Sequence, residues 1–88
     1  MGLEAVETIL WAEDEFGVKI SDAEAGEIRT VGEFSLLIHH KLVLKQGFVS
    51  PSEQAVFERI KAYLVSYLKI NPSDIHRASE FVKDLGFD

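Results

Sequence analysis

Apolar residues recur along most of this chain at helical spacing, and the breaks between the periodic segments carry helix punctuation. Leu3, Val6, Ile9, Leu10 and Phe16 follow a helical period, with Glu4, Glu7, Asp14 and Glu15 on other faces. Gly17 is suited to end this segment in a left-handed conformation. Val18 and Ile20 lead out of it. Ser21-Asp22-Ala23-Glu24 is a capping-box pattern that opens a short helix ending by Ile28. Thr30-Val31-Gly32-Glu33 repeats the pattern. It opens a helix carrying Phe34, Leu37, Ile38 and Leu42 and ending near Gln46-Gly47. After the short connection Gly47-Phe48-Val49, Ser50-Pro51-Ser52-Glu53 reads as a third box, with Ser50 as the cap and proline at the first helical position. The stripe Val56, Phe57, Ile60, Tyr63, Leu64, Tyr67 and Leu68 then predicts the strongest helix of the chain. Beyond Lys69 the period fades. Asn71-Pro72-Ser73-Asp74 is a cap-like turn, and Phe81, Val82 and Leu85 supply apolar contacts from loop or short turns. Strand alternation is absent, so the expected fold class is all-α: a four-helix bundle of three longer helices and one short one.

Composition narrows what such a bundle does. The 88 residues suit one domain, and 47% hydrophobic content is enough for one core. No cysteine is present, which excludes disulfides and thiolate metal sites. A net charge of −6 disfavours nucleic acid, whose phosphates call for a basic surface, and favours basic protein partners. No apolar run is long enough to span a membrane, and no basic segment precedes a long apolar run at the start. A cytoplasmic protein without membrane contact is the expectation. His39 and His40 are adjacent and so diverge on a helix, and His76 is remote in sequence, so no metal site is expected. Asp84 and Asp88 have no nucleophile or histidine beside them and suit a turn better than acid–base work.

Asp84-Leu85-Gly86-Phe87-Asp88 resembles the segment preceding the modified serine of acyl carrier proteins, whose signature D-L-G-x-D-S-L runs into an acidic helix. Leu3-Glu4-Ala5-Val6-Glu7 resembles the continuation. Reading Asp88 into Leu3 with one serine between them restores the motif. The likeness covers nearly the whole chain in two blocks of swapped order. Residues 52–88 resemble the family's first helix and long loop, residues 3–46 its second to fourth helices, and residues 47–51 join them. Within the second block Glu13-Asp14-Glu15-Phe16, Ile20 with Ser21-Asp22-Ala23-Glu24-Ala25, and Ile28-Arg29-Thr30-Val31 fall in family order.

The resemblance implies an acyl-carrier-like bundle in circularly permuted order, serving fatty acid or polyketide synthesis. An engineered opening, with Met1-Gly2 as an added start, is the preferred origin. A fragment cut between the modification sites of two tandem carrier domains is the alternative. The family's cofactor is 4′-phosphopantetheine on the serine. Here Gly2 precedes Leu3 and no Asp-Ser-Leu occurs, so Asp84, Leu85, Gly86, Asp88, Gly2 and Leu3 form only a remnant of that site. The chain is expected to carry no arm and to perform no catalysis. Glu4, Glu7, Asp14 and Glu15 are the expected docking face for basic patches of acyl-processing enzymes and of a phosphopantetheinyl transferase. Opening the chain beside the site is expected to let residues 80–88 fray, leaving a monomer or a domain-swapped dimer. The contrasting expectation is a structural or interaction bundle that shares the carrier fold and has no link to acyl chemistry.

Overall fold

The computed structural model describes residues 2–87. Four α-helices follow in order: α1 (Leu3–Phe16), α2 (Asp22–Glu27), α3 (Val31–Gln46) and α4 (Glu53–Leu68). No β-strand occurs among the described residues; Thr30 and Glu80 form one isolated antiparallel bridge. The all-α class and the pattern of three long helices with one short one are therefore as expected.

Local chemistry sets each boundary. Gly17 adopts φ +66° and donates its N–H to the Glu13 carbonyl, and the Glu13 carboxylate accepts from Ile20 N–H at 2.8 Å, turning the chain sharply out of α1. Both predicted capping boxes form, Ser21 with Glu24 and Thr30 with Glu33. The third is displaced. Ser52, not Ser50, caps α4, accepting from Ala55 N–H at 3.1 Å, while the Ser50 hydroxyl donates to the Gly47 carbonyl at 2.8 Å. Proline thus lies before the cap rather than inside the first turn. The cause is the route of the chain. Gly47, at φ +62° and ψ −128°, reverses it in a conformation that suits only glycine. The segment then runs back along α3, where the Pro51 carbonyl meets His39 Nδ1 at 3.2 Å and Ser35 Oγ reaches the Glu53 carboxylate at 2.7 Å. A capping serine is needed only where that return ends.

The core is one cluster drawn from every helix and from the C-terminal segment. Phe34, Ile38 and Leu42 of α3 meet Val56, Ile60 and Leu64 of α4, with Ala12 and Phe16 of α1 and Ile75, Phe81 and Phe87 from beyond α4. Val18 and Ile20, read as mere lead-out residues, are buried in it. In α1 the buried face is Thr8, Ala12 and Phe16, with Ala5 and Ile9 packed against the core, while Leu3, Val6 and Leu10 face solvent. The stripe read from sequence therefore divides between two faces: Ile9 and Phe16 turn inward with Ala5, Thr8 and Ala12, while Leu3, Val6 and Leu10 point outward. Tyr67 is likewise exposed rather than part of the α4 stripe.

The segment after α4 lacks regular helix beyond a 3₁₀ turn (Pro72–Asp74), yet it is tightly fixed. It docks on the first turn of α3: Val31 N–H donates to the Ser79 carbonyl (3.0 Å), Gly32 N–H to the Arg77 carbonyl (2.9 Å), and Phe81 N–H to the Arg29 carbonyl (3.0 Å). Arg77 then crosses to α4, where it bonds the Glu53 carboxylate at 2.6 Å and lies 4.3 Å over the Phe57 ring. Residues 80–87, expected to fray, are hydrogen-bonded and packed onto the bundle. Asp84 and Leu85 N–H both return to the Glu80 carbonyl, Phe87 N–H to the Phe81 carbonyl, and Phe87 is buried. The radius of gyration, 12.2 Å, is that of a fully compact chain of this length, about 12 Å.

Three carboxylates sit below their ordinary value of 4.5: Glu53, held by the Arg77 guanidinium and then the Ser35 hydroxyl; Glu33, held by Arg29 N–H and then Thr30 N–H; and Glu24, held by Ser21 N–H and then Lys41. A depressed folded-state pKa contributes stability that is complete above the unfolded-state value and lost as pH falls through the folded one. Glu53→Gln therefore lowers Tm at neutral pH, and thermal melts should show its deficit against the parent closing as pH falls below 4.5 and through the lowered folded-state value. A deficit that is constant with pH would contradict the ion-pair account. Gly32 offers a second check. A Cβ there would stand 2.8 Å from the Arg77 carbonyl oxygen, in the backbone of the docked segment. Gly32→Ala should cost about 1–3 kcal/mol in chemical denaturation by forcing that segment off α3.

Candidate functional site

One residue from each of the two segments singled out in the sequence, Ala5 and Phe87, lines a common hollow. This apolar hollow of about 370 Å³ is walled by Ala5, Thr8 and Ile9 of α1, by Ala25 and Ile28 around α2, by Phe34, and by Phe81, Val82 and Phe87 of the C-terminal segment. Each wall follows from local chemistry. Ala5, Thr8 and Ile9 are the inward positions of α1. Phe81 is held by its bond to Arg29, stacks edge-on against Phe34 with centroids 5.9 Å apart, and meets Phe87 at 5.1 Å. Thr8 is the polar exception. Its hydroxyl donates to Tyr63 Oη at 3.3 Å, which satisfies it.

The remnant motif builds the turn that delivers Phe87. Asp84 Oδ2 accepts from Glu80 N–H at 2.7 Å, and Gly86 takes φ +78°, the left-handed conformation that glycine favours. Asp84 is thus a turn residue. Leu85 packs half-buried against the core. Asp88 lies outside the described residues. Gly2 is the N-cap of α1 and brings no side-chain cap, whereas Ser21, Thr30 and Ser52 cap the other helices. The start of α1 is therefore left without a capping side chain, with the positive end of its dipole at Gly2-Leu3.

The expected docking face is divided. Glu7 and Asp14 project to solvent on the same side as Leu3, Val6 and Leu10, giving an apolar strip bordered by acid. Glu15 instead pairs with Arg59 across the α1–α4 seam, and Arg59 lies 4.5 Å over the Phe16 ring. Glu15 is therefore engaged with α4 rather than free beside Glu7. Glu4 is half-buried at the first turn. Trp11 is a half-buried aromatic, stacked on Tyr63 with centroids 4.2 Å apart.

A second, more polar hollow of about 420 Å³ is lined by Ser73, Asp74, His76, Ala78, Ser79 and Asp84. Its hydroxyl is committed: Ser79 Oγ donates to the Asp74 carbonyl at 2.7 Å and accepts from His76 N–H at 2.8 Å, fixing the loop. Among the described residues no group of three or more histidines and carboxylates is placed to hold a metal ion. No helix among them is long and apolar enough to cross a membrane.

Sequence reasoning missed Phe87, the variable position of its own motif, and the Glu53–Arg77–Ser35 cluster. Phe87 was legible only as one more aromatic. The cluster joins residues far apart in sequence, and no local pattern announces it. The described residues define an all-α, four-helix domain with an apolar hollow between the start of its first helix and its C-terminal segment. No family model, curated protein or solved structure matches the chain.

The hollow is wide enough to admit a slender apolar group. An environment-sensitive apolar dye should bind there, and Ala5→Trp, which fills it from α1, should weaken the fluorescence response several-fold. An unchanged response in the folded variant would place the dye elsewhere.

Proposed function

We propose that this chain is an acyl-carrier-type bundle in permuted order, retaining the docking surface of a carrier while lacking the serine that bears phosphopantetheine. In this reading α4 and the segment after it take the part of the family's first helix and long loop. Helices α1 to α3 take the parts of its second to fourth.

The observation that carries the reading is the shared hollow. Ala5, Thr8 and Ile9 of the helix after the inferred junction and Phe87, the variable position of the D-L-G-x-D turn, line one cavity, although they come from opposite ends of the sequence. A generic bundle has no need to bring those two motifs together. Three further features support it. The first helix starts without a capping side chain, which suits a phosphodiester at its N-terminus. The outward strip of Leu3, Val6 and Leu10, bordered by Glu7 and Asp14, fits an apolar patch ringed by lysine or arginine. The hollow suits an alkyl chain. Partners are then acyl-processing enzymes and a phosphopantetheinyl transferase, and the chain's role is docking rather than catalysis.

The test restores the inferred order. Joining Asp88 through one serine to Leu3, and opening the chain between Gln46 and Ser52, should give a protein that gains the mass of one phosphopantetheine arm on incubation with coenzyme A and a broad-specificity transferase. The 88-residue chain as it stands should gain none. Docking should survive in the present chain and fall with Glu7→Lys and Asp14→Lys, measured against a ketosynthase or transferase by titration. A reordered, folded protein that stays unmodified would overturn the reading and favour a bundle without acyl chemistry.

A further inference from the structure

The apolar hollow contains one polar side chain, and its bonding capacity is only partly used. Thr8 lines the hollow with 3% of its surface exposed, and its partner Tyr63 is 7% exposed. A hydroxyl offers one proton and two lone pairs. The Thr8 proton goes to Tyr63 Oη at 3.3 Å, while no donor among the described residues reaches the Thr8 lone pairs. Buried polar atoms ordinarily fill such positions from protein or water. The hollow therefore presents one acceptor, fixed in place by α1, within an apolar lining.

The rest of the lining sets the class of ligand. Phe34, Phe81 and Phe87 contribute three rings, edge-on at 5.9 Å and tilted at 5.1 Å. Ala5, Ala25 and Gly26 leave width beside them, and a Cβ at Gly26 would meet nothing within 4 Å. Aromatic rings favour offset and edge-to-face contacts at such separations. A rigid ring also loses less freedom on binding than a flexible chain does. None of the described lining residues is charged, so a carboxylate or phosphate there would be desolvated without a partner. At about 370 Å³ the hollow stands near the lower end of small-molecule sites, roughly 300–1,000 Å³. Val82 lines it at 67% exposure and so marks its mouth.

We propose that the hollow binds a free, neutral aromatic ring compound bearing a single O–H or N–H donor. The ring packs among Phe34, Phe81 and Phe87, and the donor meets Thr8 Oγ1. The ligand needs no covalent arm, so the inference stands apart from the carrier reading.

An amide-resolved NMR titration of the full chain with indole reads both affinity and place. Shifts should concentrate at Ala5, Thr8, Ala25 and Phe87. Indole should bind about tenfold more tightly than 1-methylindole, which keeps the ring and lacks the donor. Thr8→Val keeps the side-chain shape. It should bring indole to the level of 1-methylindole and leave 1-methylindole within about twofold of its affinity for the parent. Circular dichroism checks the fold of the variant; should it unfold, the ratio of the two probes on the parent chain decides. Equal binding of the two probes, shifts confined to other faces, or no binding at all would overturn the proposal. So would tighter binding of 1-octanol, the mark of a site shaped for an alkyl chain, and that result would leave the carrier reading standing.

Discussion

The structure depends on one docking event, the C-terminal segment laid across the first turn of α3. A helix start presents backbone N–H groups with no partner inside the helix, and burying them unpaired costs free energy. Here Val31 and Gly32 give theirs to the carbonyls of Ser79 and Arg77, and Thr30 caps Glu33 N–H. The contact is close enough that only glycine fits at position 32. From that anchor the other placements follow. Arg77 is carried to Glu53 and Phe57, fixing the start of α4; Phe81 is set against Phe34; and the turn closed by Asp84 and Gly86 swings Phe87 into the core. A segment with almost no regular structure thereby becomes one wall of the bundle.

This arrangement explains which parts of the fold were readable in sequence. The starts of α2 and α3 were legible because a capping box is a local device: residues three apart decide it. The end of α1 was legible because Gly17 answers a local backbone demand. The start of α4 was placed too early, at Ser50, because the two serines flanking Pro51 are locally equivalent as caps. What separates them is the return path along α3, which depends on His39 and Ser35 in another helix. The orientation of α1 was misjudged for a related reason. Period alone grouped Leu3, Val6, Ile9, Leu10 and Phe16 on one stripe, whereas the fold turns only Ile9 and Phe16 of these toward the core, beside Ala5, Thr8 and Ala12.

The hollow was legible in its neighbourhood and not in its membership. None of Gly2, Leu3, Asp84, Leu85 and Gly86 lines it; their neighbours Ala5 and Phe87 do. The aromatic wall of Phe81 and Phe87, and the commitment of Asp84 to a turn, emerge only from the fold. Glu15 shows the limit of reading charge by eye. It belongs to an acidic helix, yet it pairs at the surface with Arg59 of α4, leaving Glu7 and Asp14 beside the outward apolar strip.

Two apolar strips consequently face solvent, and their borders differ in charge. Long-range electrostatics governs which bodies approach which surface, and short-range burial governs how firmly they stay. On α1 the apolar strip is bordered by unpaired acid, so approach is selective for basic surfaces and sensitive to salt. On α3, where Leu36, Val43 and Leu44 face solvent, Lys41 is paired with Glu24, while the exposed Glu33 carboxylate keeps its charge and accepts from the Arg29 and Thr30 N–H groups. The internal ion pairs thus leave the two strips with different borders: Glu7 and Asp14 along α1, and the closed Lys41–Glu24 pair with a lone Glu33 beside α3.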